Sequence, residues 1–378
     1  GTFRIPVPAA GAYTVRVSLM GQETVTLPVT VSGNGDMTAL RVVLREAPIP
    51  VAEVSVRASS FGAEGKRQGA TLRRIDIMTT PGAAADLMQS VHTLPGVHAP
   101  NEGAALYVRG GAPDETLVRL DGGDVGHPYK YESASGGLFG VLDPSLISSA
   151  YFSSGAFSPK YGNALSGVLD VESTTDVRQT AFNFGVNVVG GGGTVSVPLD
   201  GEKLGVVFSA HYQDTELLDR LYGTSRDFTR YPRSYDGGIK VLGHPAQNQS
   251  VSLFVAATHD RTGVKLRFPS YHGEFNNAAT VSLWNAGYSN VLTKKLGVRV
   301  NLANTHYTDG WRFSDFHYAT VSNQYTGRTE ATWQRSARYE LSGGVDAERE
   351  DETYAGIVPH DSTDYAPGAP TRDVAQDG

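Results

Sequence analysis

Cysteine is missing altogether from the 378 residues, which removes disulfides, thiolate metal sites and cysteine nucleophiles at once. Its absence does not choose a redox compartment. Long apolar runs are missing too. None approaches the roughly 18 residues that a membrane-crossing helix needs, so helical membrane proteins are excluded and β-barrels are not. Positive charge is in short supply: 32 Lys and Arg stand against 39 Asp and Glu, a net charge of −7 spread almost evenly along the chain. No basic stripe marks a nucleic-acid partner. The chain opens at Gly1 inside a strand-like pattern, without a basic-then-apolar leader. The expectation is a soluble protein, or a mature or clipped piece of an exported one.

Enzyme signatures are scarce as well, and no enzyme is expected. Glycine is abundant, 44 residues, but the clusters Gly136-Gly137 and Gly190–Gly193 precede no Gly-Lys-Ser/Thr and open no helix, so they read as turns. No Gly-x-Ser-x-Gly offers an acyl-transfer nucleophile. The ten histidines lack metal-ligand spacing, so neither metal nor cofactor is expected. Asp121 and Asp124 are three apart, yet Asp121 before Gly122 suits a tight turn better than a catalytic pair.

What is present is β-structure. Ala12–Leu19 and Glu23–Val31 alternate, and Leu40–Leu44 closes a set of three short strands. This region, 1–47, with its Pro-Ala-Ala-Gly-Ala-Tyr-Thr-Val-Arg-Val-Ser run and closing Val-Val-Leu, resembles the second half of a carboxypeptidase regulatory-like domain, a partial β-sandwich. Residues 48–80 read as a linker carrying one short alternating segment, Glu53-Val54-Ser55-Val56. Such a segment is either a strand touching the next domain or a peptide that adds itself to a partner's sheet edge.

Residues 81–176 hold the specific text. Ala83–Leu94 has helical spacing and ends at Leu94-Pro95-Gly96-Val97. There follow, in order, Val108-Arg109-Gly110-Gly111, Leu120-Asp121-Gly122, Asp143-Pro144-Ser145-Leu146-Ile147, Ser153-Ser154-Gly155, Tyr161-Gly162 and Ser166-Gly167-Val168-Leu169-Asp170-Val171. This order resembles the plug domain of TonB-dependent outer-membrane receptors. Gly123 departs from the family, where a β-branched residue is more usual.

Residues 177–378 carry a barrel signature independent of that resemblance: strands of alternating polarity, joined alternately by short turns and long connections. The long ones are expected as loops at Gln213–Ser234, Asp260–Ala278 and Thr308–Gln324, and the tail from Glu348 as a further loop. The 35 aromatic residues suit interfacial girdles. About nine strands are counted, too few to close a wall without unpaired edges in lipid, and the resemblance implies a barrel of about 22. The expected fold is therefore mainly β: a partial β-sandwich module, an α+β plug, and an incomplete antiparallel transmembrane β-barrel, truncated at both ends.

The resemblance implies a receptor in a Gram-negative type of outer membrane. It would bind an extracellular small-molecule or oligomeric ligand, a ferric siderophore on family frequency, and import it. Its partners would be outer-membrane lipid and a TonB-type energy-transducing protein that pairs with Glu53, Val54, Ser55 and Val56. The plug motif maps to Arg109, Gly110, Gly111, Asp121, Gly122, Tyr161 and Gly162. Ligand contacts are sought at His127, Tyr129, Lys130 and Tyr131, a run that reads either as a loop packing on the wall or as a plug apex. Trp311 and Phe313 are further candidates, as are Phe316, His317 and Tyr318, or Tyr231, Arg233 and Tyr235. The alternative from another class is a soluble or surface-attached β-rich binding or adhesion protein.

Overall fold

The computed structural model describes residues 11–17, 25–31, 42, 69–98, 103–132, 137–200, 203–222, 227–267, 272–336, 339–360 and 365–377. The chain divides into two compact units, Gly1–Arg57 and Ala58–Gly378. In the first, β1 (Gly11–Val17) pairs antiparallel with β2 (Val25–Val31), as their alternation requires. All of the third strand expected at Leu40–Leu44 except Val42, and the whole segment Glu53–Val56, lie outside the described residues.

The second unit begins with the plug. β3 (Ala70–Arg73) leads into α1 (Arg74–Thr79); α2 (Leu87–Val91) follows. β4 (Val97–His98) pairs with β5 (Tyr107–Val108), and β6 (Thr116–Leu120) turns back into β7 (Gly123–Asp124). β8 (Tyr129–Lys130) pairs with β9 (Phe139–Gly140), before β10 (Ile147–Ser153) and β11 (Gly167–Ser173). The sheet order is β3-β10-β11-β6-β7, with β6 and β11 parallel. Ile77, Leu87, Met88 and Val91, from the two helices, are fully buried. The helix expected from Ala83 is shorter. Ala84 and Ala85 are left-handed, with φ of 51° and 57°. The helix starts only after Asp86, whose carboxylate accepts the Gln89 N–H at 3.0 Å and the Gly140 N–H at 2.8 Å.

The wall is one ten-stranded antiparallel meander: β12 (Ala181–Asn187), β13 (Gly190–Pro198), β14 (Leu204–Asp214), β15 (Phe228–Ala246), β16 (Gln249–Arg267), β17 (His272–Thr293), β18 (Leu296–Phe313), β19 (Phe316–Ser336), β20 (Tyr339–Pro359) and β21 (Thr371–Asp377). A short helix, α3 (Glu216–Tyr222), sits between β14 and β15. Alternation sorts side chains strictly: on β16, Phe254 is 1% exposed while its neighbours Leu253 and Val255 are each 43% exposed. The outward apolar positions include Phe208, Ile239, Leu302 and Val345. Aromatics bound this outward face, with Tyr212 beside Tyr235 at 5.0 Å near one end and Trp333 and Tyr339 at the other. Trp333 and Tyr325 are eight residues apart on β19, about 26 Å along the strand, close to the roughly 25 Å of a barrel's apolar band.

The long connections are largely strand rather than loop. β15 and β16 run 19 residues, β17 22, β19 and β20 21, where a crossing needs about 9–11. The described parts of Asp260–Ala278 and most of Thr308–Gln324 therefore continue the sheet beyond the apolar band, and the acidic stretch 348–359 is the second half of β20. Gln213–Ser234 is strand only at its two ends, with α3 between them. Ladder hydrogen bonds are main-chain bonds, so pairing persists where side chains have turned polar on both faces.

Candidate functional site

The motif residues build a plug that is clamped to the wall. Asp121 and Gly122 have φ of 51° and 94°, the two left-handed residues of a tight hairpin turn joining β6 to β7. Asp121 also does more than turn the chain. Its carboxylate accepts the Ser173 N–H at 2.8 Å, the Ser173 hydroxyl at 2.5 Å and the Lys240 ammonium of β15 at 2.7 Å. Burial alone would push this carboxyl up, but Lys240 and the Ser173 donors outweigh it and hold it below its ordinary value. Lys240 is itself 2% exposed, so each charge depends on the other. Next in the turn, Gly123 is forced to be glycine: a Cβ there would collide with Ala303 and Asn285 of the wall. Its departure from the family pattern is thus a close approach.

Arg109 and Gly110 form a second left-handed pair, φ 51° and 84°, and Gly111 lies against Ser166 and Glu115, where a Cβ would not fit. Tyr161 donates to Asp170 at 2.6 Å, with the Lys160 ammonium 4.5 Å above its ring; Gly162 has open space beside it. Arg119, absent from the sequence-based candidates, is 5% exposed. It reaches Asp124 at 2.5 Å and, across to β20, Asp346 at 3.6 Å. Arg328 of β19 meets the same carboxylate at 3.0 Å.

The run His127–Tyr131 lies at the plug's edge, and the structure uses most of it on the wall. Tyr129 accepts the Leu106 N–H at 3.1 Å, and burial pushes its phenol up to about 12. Lys130 pairs with Asp236 of β15 at 2.5 Å, and the Tyr131 N–H bonds Asp260 of β16 at 2.7 Å. His127 stacks on Tyr307 of β18 at 3.7 Å and lies 3.1 Å from Glu132. Tyr129, Lys130 and Tyr131 are each 5–6% exposed, which makes them packing and clamp residues rather than an open ligand surface. His127 and Glu132 are half-buried.

Beyond this floor, the inner face carries an aromatic strip. Phe275, Trp311 and Tyr318 follow one another at 6.1 Å, and Tyr354 continues at 5.9 Å, one ring from each of β17 to β20. All are half-buried. Trp311 therefore lies on the lumen side as a ligand contact would. Phe313 shares that face but is closed off: it is 1% exposed, packed with Phe316 against Tyr365. Tyr235 faces outward in the girdle and His317 is exposed on the outer face, while Arg233 is paired with Asp214 at 2.7 Å. The clamp partners Lys240, Asp236 and Asp260 were not singled out from the sequence. Their signal was there for Lys240 and Asp236, charged residues on the non-lipid positions of an alternating strand. Asp260 was hidden in a segment read as loop.

No protein-family model and no curated protein sequence matches the chain. Solved structures do. The chain is similar to the copper transporter OprC (14% identity, TM-score 0.57, covering 76% of this chain and 47% of that one). It is similar to the outer membrane transporter YddB from Escherichia coli (13%, 0.55, 82% and 53%). It is similar to the siderophore receptor PirA from Pseudomonas aeruginosa (17%, 0.53, 77% and 51%). The chain spans about half the length of these structures. It has the fold of the plug and of part of the barrel wall of TonB-dependent outer-membrane receptors.

Proposed function

We propose that this chain is the plug and part of the wall of an import receptor in a Gram-negative type of outer membrane. The observation that carries this reading is a stopper built into a lipid-facing sheet. The plug touches the inner faces of neighbouring strands through Lys240, Asp260, Asn285 and Arg328, while the outer faces of those strands are apolar between aromatic girdles. A ligand arriving from outside meets the aromatic strip and the His127–Glu132 floor. Passage requires the plug to move, and the clamps oppose that. An outer membrane has no ATP beside it, so the work has to come mechanically from a periplasmic partner of the TonB type.

That partner would add a strand to Glu53, Val54, Ser55 and Val56. The names of the comparison proteins, a copper transporter and a siderophore receptor, make a ferric siderophore the first ligand to test. In the full-length protein, Val54→Pro removes a strand N–H. Uptake of the labelled chelate is expected to fall to background with surface binding retained. Unchanged uptake would refute the strand-addition role.

A further inference from the structure

Where the plug meets β14–β16, buried oxygens stand without hydrogen-bond partners. Register sets Gln213 opposite Ser234, and Ser234 opposite Asp260, on the inner face. Tyr131 joins them from the plug through its N–H to Asp260 Oδ2. Its phenol lies within reach of Ser234 Oγ but short of a well-formed hydrogen bond, and Gln213 Oε1 and Asp260 Oδ1 have no partner. Ser234 is 0%, Asp260 2% and Tyr131 6% exposed. Native interiors seldom leave one such group poorly satisfied, and here four such oxygens belong to residues that neighbour one another along a single seam.

Charge decides what belongs between them. Among the described residues no cation forms an ion pair with Asp260. Lys130 is held by Asp236 at 2.5 Å, and His211 lies between Asp236 and Asp143 at 3.3 and 3.4 Å. The next carboxylate along the inner face, Asp309, is separated by Ala279 and accepts from Asn277 at 2.6 Å. Lys130, though committed to Asp236, also attracts Asp260; a water molecule would supply donors but add no charge to complete that partial balance. The donors are all oxygen, a set suited to a hard cation. Among the described residues no three His, Asp or Glu gather as a metal site, so the set offers one formal charge.

We propose that a small, singly charged hard cation binds in this seam, held by Asp260, Gln213, Ser234 and Tyr131, and fastens the plug to the wall. The site is independent of whether the protein transports. The test is the thermal midpoint of the full-length protein in detergent, in sodium chloride against N-methyl-D-glucamine chloride at equal ionic strength. Sodium is expected to raise the midpoint by roughly 2–4 °C. Asp260→Asn is expected to abolish the difference, and Ser234→Ala, a milder change, to reduce it. Equal midpoints for the unaltered protein in the two salts, as a proton on Asp260 would give, overturn the proposal. So does an Asp260→Asn variant that keeps the full difference, or a calcium effect that exceeds sodium's at lower concentration.

Discussion

The plug and the wall bury side chains by different rules. The plug has an interior of its own: Leu87, Met88, Leu106, Ala150 and Val171 are sealed within it, and its central strands β6, β10 and β11 are largely buried on both faces. The wall has none. Its outer face offers apolar groups to lipid, and much of its inner face is buried where the plug covers it, as at Val207, Phe254 and Leu283, which belong to the plug's core. The plug is thus the hydrophobic core of both. The polar clamps then fix where it sits, since a charge at a plug–wall boundary is tolerated in one register only.

The sharpest way to break this comparison is to remove one partner of a buried pair. Lys240→Met strands Asp121 and is expected to destabilise the protein in vesicles by about 3–5 kcal/mol in urea titration. Adding Asp121→Asn should recover most of the loss. Acid makes the same cut. Asp121 titrates below its ordinary value in the folded protein. Its contribution is therefore complete above that ordinary value and disappears as pH falls through the lower folded one. Lys240→Met should show no such acid step.

Adjacent residues on β16 sharpen the contrast. Phe254→Ala empties space against the plug and should cost about 3–4 kcal/mol, whereas Leu253→Ala, facing lipid, should cost under about 1 kcal/mol. Equal costs would mean that the wall does not depend on the plug for its interior. Gly123→Ala should cost about 1–3 kcal/mol by overpacking against Ala303 and Asn285, read as easier proteolysis of the plug.

The smallest effect lies at His92, whose ring nitrogen is 3.1 Å from the Ala105 carbonyl. Burial lowers this imidazole from its ordinary value of 6.5, so the folded plug favours the neutral ring. Stability is complete above 6.5 and declines as pH drops below it. His92→Gln is expected to flatten that part of the profile by under about 1 kcal/mol.

Local text was legible where chemistry is local. Asp121-Gly122 announced its hairpin turn, and the alternation of Val298, Val300 and Leu302 with Arg299 and Asn301 announced a wall with one apolar face. Reading failed where the cause was distant. Ala83–Leu94 has helical spacing, but Asp86 is drawn to the Gly140 N–H, 54 residues away, and the helix starts late. Gly123 looked like an anomaly until Ala303 stood opposite. Glu348, Glu350 and Glu352 looked like a solvated tail, yet they share β20 with outward Arg349 and Asp351.

The order of side chains along the chain settled the kinds of element, the faces they present and the need for lipid on one side, because these depend on neighbours two or four residues away. Which charges are buried together, how far the strands run past the bilayer and which aromatic rings share the lumen were settled only when remote segments met. Those outcomes rest on main-chain pairing and on desolvation at the plug–wall boundary, and neither leaves a local mark in the sequence.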